Sequence, residues 1–215
     1  MSKKIDELLT KSGVAINNGI NQAAIASLLQ EFGYTPERLA EGQDLRTTAG
    51  LLTNRQKKED GEQQAATEAL NQSIEEANRV YIPFLKIARV AFRKDTNRYI
   101  QLELNGSRKD SHSDWLGQTK VFYANLLADE EALEKMAGYG QTQEKLETGL
   151  GLVIIAEEKL AMRKKEMGEA QDATIARDEA VDALQEWYSD YIEIARLALA
   201  DQPQYLEMLG IISPS

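Results

Sequence analysis

The sequence predicts an all-α fold: two tandem helical repeats, with long antiparallel coiled-coil-like helices and a small helical cluster at each end. Three observations lead there. The chain matches itself at a shift of 107 residues. Its apolar residues recur about every 3.5 positions over long stretches, the period of a helix seam. No alternating strand pattern survives more than a few residues.

The repeat is ungapped from Val14 to Arg93, which fall on Val121 to Ala200, and 23 of these 80 positions are identical. Phe32-Gly-Tyr-Thr-Pro-Glu-Arg-Leu lies on Tyr139-Gly-Gln-Thr-Gln-Glu-Lys-Leu, and Ile87-Ala-Arg-Val-Ala lies on Ile194-Ala-Arg-Leu-Ala. Matched Gly, Thr, Tyr and Arg in one register point to a duplication with copies 1–107 and 108–215, interleaved into one elongated unit.

Each copy has the same expected elements. A first helix spans 17–31 (124–137 in the second copy) and stops at Gly33 or Gly140 in the left-handed conformation. Thr35, followed by Pro36 at the first helical position, is a good N-cap, and Thr142 repeats it without the proline. A long helix follows. Its seam runs through Leu39, Gly42, Leu45, Ala49 and Leu52, then polar Gln56 and Gln63, then Ala66, Leu70, Ile74, Ala77, Tyr81, Phe84, Ala88 and Ala91. The second copy repeats it from Leu146 to Ala198, passing Lys159 and Met167. Gly61 and Gly168 suit hairpin turns, but an unbroken phase on both sides favours one continuous helix per copy, on the order of 85 Å long at 1.5 Å per residue. A short helix over 97–104 (204–209) ends at Gly106 or Gly210. A small length difference after Arg93 would pair Tyr99 with Tyr205. The aromatics gather in two groups, Tyr81, Phe84, Phe92, Tyr99, Trp115, Phe122 and Tyr139 in one and Phe32, Trp187, Tyr188, Tyr191 and Tyr205 in the other.

Composition narrows function mainly by exclusion. The chain has 215 residues, 42% of them hydrophobic, enough for a real core. The absence of cysteine rules out disulfides, thiolate zinc and thiol catalysis, and the single His112 rules out multi-histidine metal sites. No metal or other cofactor is expected. The net charge is −10, and all of the excess lies in 108–215, where 11 basic residues face 21 acidic ones. Such a chain is a poor general binder of nucleic acid. The longest apolar run, Gly149 to Ala156, is far short of the roughly 20 residues that span a bilayer. The first residues carry no stretch like a secretory leader, so a cytoplasmic location is expected.

Few residues carry chemistry. Arg89 and Arg196 each sit between apolar neighbours, Ala88 and Val90 or Ala195 and Leu197. Each guanidinium either lies along the bundle toward a carboxylate or forms an anion site, with Tyr81 or Tyr188 two turns earlier as a hydroxyl donor. Between Lys86 and Lys109 seven basic residues, among them Arg93, Lys94, Arg98 and Arg108, face two acidic ones. These either complement a helix C-terminus or form a patch for an acidic partner. Gly106, Ser107, Arg108 and Lys109 could cradle a phosphate but lack the P-loop spacing. Paired carboxylates such as Glu75-Glu76 face different directions on a helix, and no nucleophile–base pair is readable.

Ala173-Thr174, Ile194-Ala-Arg and Pro203-Gln-Tyr-Leu-Glu-Met-Leu-Gly-Ile211 resemble segments of uncharacterised bacterial all-helical proteins with duplicated halves. The resemblance implies an all-helical fold and carries no activity with it. The expected function is therefore a non-enzymatic structural or scaffolding protein, a rigid helical spacer presenting two interaction heads. Its partners are proteins, including further copies assembled into oligomers or filaments. The alternative is a small-molecule or anion-binding module with a pocket near Arg89 or Arg196.

Overall fold

The computed structural model describes residues 2–211, and among them every regular element is a helix. The order is α1 (Ser2–Asn21), α2 (Ala23–Glu31), α3 (Pro36–Ala91), α4 (Thr96–Gln101), α5 (His112–Leu127), α6 (Glu130–Ala137), α7 (Gln143–Ala198) and α8 (Pro203–Met208). No described helix is long and apolar enough to cross a membrane.

The two long helices run unbroken through Gly61 and Gly168, so neither glycine makes a hairpin. A Cβ at either position would meet nothing within 4 Å, so packing does not demand the glycine. Each costs its helix about 1 kcal/mol relative to alanine, which tertiary burial of the seam on either side offsets. Pro83 also lies inside α3, on an exposed face, where the hydrogen bond it cannot donate is lost at the solvent side. Thr35 and Thr142 act as caps, their hydroxyls accepting from the Arg38 and Lys145 N–H groups at 3.4 Å.

The helix expected over 17–31 is two helices. Gln22 takes an extended backbone, φ −98° and ψ 100°, and turns the chain without a glycine or proline. The corresponding 124–137 also divides, because the Asp129 carboxylate accepts the Ala132 N–H at 3.0 Å and starts α6 afresh. Met167 is exposed rather than in the seam, whereas Leu160, outside the expected seam, is buried and Ala170 is buried as the spacing predicts.

Two compact units result, 61–168 and 1–60 with 169–215, and each draws on both sequence halves. In the first, the later part of α3 packs on the early part of α7 and on α4–α6. Its core gathers Leu70, Tyr81, Phe92, Phe122, Tyr123 and Leu146. Arg163 Nε on α7 also donates to the Thr67 hydroxyl on α3 at 3.3 Å. In the second unit the early part of α3 meets the late part of α7, α1, α2 and α8 around Ile25, Leu29, Tyr34, Leu39, Tyr191 and Leu199.

Glycines on the long helices make room for aromatic rings. A Cβ on Gly42 would clash with the Trp187 ring, and one on Gly149 with the Tyr123 hydroxyl. Both stand at seam positions because a larger residue would displace a packed aromatic.

The 107-residue spacing recurs in the helix bounds. Helices α3 and α7 start 107 positions apart (143 − 36 = 107), and so do α4 and α8 (203 − 96 = 107). The closing turns also match: Leu104 N–H bonds Tyr99 O at 3.0 Å, and Ile211 N–H bonds Leu206 O at 2.9 Å. In this turn Tyr99 O takes the role that Leu206 O, not Tyr205 O, takes after α8. The left-handed residue after α4 is Glu103 (φ 49°), where α8 has Gly210 (φ 76°); Gly106 (φ 76°) forms a later turn.

Candidate functional site

Helix α4 and the connector to α5, in the 61–168 unit, bring together most of the residues singled out by the basic segment. Six residues are too few to hold α4 by its own hydrogen bonds, so side chains must fix it. Asp95 caps it, accepting the Arg98 N–H at 3.1 Å. The Arg98 guanidinium then ties α4 to α6, with Nε on Asp129 at 2.6 Å, Nη1 on Asp95 at 3.0 Å and Nη2 on Glu131 at 2.7 Å. The hydrogen bonds Arg98 donates to Asp129, Glu131 and Asp95 raise its pKa, and the same bond to Asp129 lowers that carboxyl's. At the far end, the Asn125 amide donates to Gln101 O at 2.7 Å.

Arg89 fixes the connector. Its Nε donates to Leu104 O at 2.9 Å and its Nη2 to Gly106 O at 2.8 Å, so its partners are backbone carbonyls. Asn78 Oδ1 accepts from Trp115 Nε1 at 3.0 Å and from Arg108 Nη1 at 3.4 Å, holding the connector against α3 and α5. Ser111 caps α5 by accepting the Asp114 N–H at 3.1 Å.

Two cavities lie along this braced segment. One, of about 220 Å³, is lined by Arg93, Thr96, Tyr99, Ile100 and Asn105. The other, of about 410 Å³, is lined by Ile100, Glu103, Asn105, Gly106, Ser107, Lys109 and Gln118. They meet at Ile100 and Asn105. Gln118 is buried and accepts the Lys109 N–H at 3.3 Å, which fixes the second wall. A separate hollow of about 570 Å³ between α5 and α7 is spanned by the Lys120–Glu157 ion pair at 2.8 Å.

The remaining expected residues are dispersed. Lys94 is exposed and lines neither cavity. Tyr81 is fully buried, its hydroxyl has no hydrogen-bond partner among the described residues, and burial pushes its pKa up to about 12 against the opposing pull of Arg89. Tyr123, its neighbour in the aromatic core, is raised for the same reason. In the other unit Arg196 is exposed, and Tyr188 is half-buried with a pKa raised first by burial and lowered in part by Lys11 and Arg196. Thr96, Asn105 and Gln118 escaped sequence reasoning, since nothing in an isolated hydroxyl or amide marks it as a wall of a cavity.

No protein-family model, curated protein or solved structure matches the chain.

Proposed function

We propose that the protein is a non-enzymatic scaffold whose two units each present an apolar surface to a protein partner. The observation behind this is a recurrence among exposed residues. Phe32 and Tyr139, 107 positions apart, are 46% and 50% exposed; Val90 and Leu197, also 107 apart, are 54% and 63% exposed. Scattered apolar residues on a surface need no explanation. Here, however, 57 of the 80 aligned positions differ (80 − 23 = 57), yet both of these places keep a large apolar side chain that the fold does not bury. Phe32 and Leu197 belong to one unit, Tyr139 and Val90 to the other, so each has one of each pair.

Tandem duplication accounts for this pattern, and the matched bounds of α3 with α7 and of α4 with α8 support it. Two copies of one ancestral surface, carried on long helices that contribute to both units, suit a protein that holds partners in place. Partners are either other proteins or further copies of the chain.

Two double variants of the full chain test the reading: Phe32→Ser with Leu197→Ser, and Tyr139→Ser with Val90→Ser. The side chains are exposed, so helicity and melting midpoint should stay as in the wild type. Each pair should lose its own set of co-purifying proteins, or its share of self-association measured by sedimentation. If both variants retain every partner and the wild-type sedimentation, the scaffold reading is wrong.

A further inference from the structure

We propose that the double cavity beside α4 is a binding site for a small polyanion carrying phosphate or carboxylate groups. The site uses different side chains from the apolar surface, although Arg93 follows Val90 by three positions and its N–H bonds Val90 O. Each cavity has a cation in its lining, Arg93 in the first and Lys109 in the second. Neither side chain has an ion pair among the described residues, although neighbouring Arg98 is bonded to three carboxylates. Of the basic residues in the segment, Arg89, Arg98 and Arg108 brace the walls, whereas Arg93 and Lys109 line the cavities without an ion pair among the described residues.

Hydrogen-bonding groups are present in both cavities. Thr96, Tyr99 and Asn105 line the first cavity, and Ser107, Asn105 and the Gln118 amide line the second. A guanidinium fork with hydroxyls beside it matches the several acceptor oxygens of a phosphate or carboxylate. Ile100, 60% exposed between the cavities, gives an organic body something apolar to rest on. A ligand with one anionic group in each cavity would satisfy both cations at once.

The walls are held in advance. Arg89 fixes the carbonyls on either side of Asn105, and Arg98 fixes the helix that carries Thr96 and Tyr99. Preorganised walls reduce the ordering cost of binding. Glu103 is the carboxylate in the lining, and it holds a left-handed backbone that favours glycine. The corresponding α8 position, Gly210, shows that the fold accepts glycine there. Glu103 therefore adds a negative charge to the lining of the second cavity, which works against an anionic ligand.

Isothermal titration of the full chain with pyrophosphate and with citrate, at physiological ionic strength, tests the site. At least one of them should bind saturably at one site per chain, and which one binds identifies the chemistry as phosphate or carboxylate. Arg93→Gln and Lys109→Gln should each weaken binding about tenfold, and together abolish it. Glu103→Gly should tighten it. Lys86→Gln, an exposed cation outside both cavities, should leave it unchanged. The proposal fails if neither compound binds, if the double variant still binds, or if Lys86→Gln weakens binding as much as Arg93→Gln.

Discussion

In the 61–168 unit, Asp95, Arg98, Asp129 and Glu131 form an ionic lock between a short helix and its neighbour. In the other unit the positions 107 residues away hold Gln202, Tyr205, Gln22 and Ala24, and no ion pair can form among them. Tyr205 instead packs against that unit's apolar core. The helix caps follow the same division: Asp95 and Asp129 accept N–H groups at the starts of α4 and α6, whereas Gln202 and Gln22 make no side-chain cap at α8 and α2. The helix bounds recur at the same spacing, but the side chains that hold the helices differ between the units. Architecture at this level depends on where apolar seams and chain turns fall, and several kinds of side-chain contact can then stabilise it. A second difference lies on the long helices. Leu70 is fully buried in α3, and its counterpart in α7 is Arg177, 8% exposed, which bonds Asp178 at 2.6 Å.

Exchanging residues between the units tests this contrast. The largest effect is expected from Leu70→Arg, which buries a charge where the core offers no acceptor and should cost about 3 kcal/mol or more in urea unfolding. The reverse change, Arg177→Leu, should leave the midpoint unchanged or raise it, because an apolar side chain replaces a charge held at the edge of burial. A loss in that variant would show that the Arg177–Asp178 contact is required. Next come Gly42→Ala and Gly149→Ala, each expected to cost about 1–3 kcal/mol by displacing Trp187 or Tyr123. Gly61→Ala serves as the control, since its Cβ meets nothing and should stabilise the helix. The smallest change is Gln22→Asp or Gln202→Asp, which supplies the missing cap and should add about 0.5–1 kcal/mol, with slower hydrogen exchange confined to α2 or α8. Equal slowing across both units would mean that the caps do not account for the difference.

The long helices were legible in the sequence because their signal is periodic and extends over many turns. Of the seam from Leu39 to Ala91, every position is buried or half-buried, including polar Gln56 and Gln63. That continuity outweighed the glycines. The aromatic grouping was legible for a related reason, since neighbours along a helix share a unit. The breaks at Gln22 and Asp129 were not, because one residue in an extended conformation interrupts no hydrophobic pattern. Nor was the lock: Arg98 and Asp129 are 31 residues apart, and only folding shows that they meet. Glu103 escaped for the opposite reason. Gly106 offered a familiar stop signal a few residues on, and attention to glycine hid a non-glycine residue with positive φ.

The scaffold reading depends on partners touching the recurrent exposed apolar positions, and site-specific photocrosslinking in the native host tests this most directly. A benzophenone amino acid would replace Val90 or Leu197 in the full chain, with exposed Glu134 as the control site. The account predicts discrete higher-mass products on irradiation at positions 90 and 197, formed with another protein or a second copy, and none at 134. No product at either position, or the same products at all three, would contradict it.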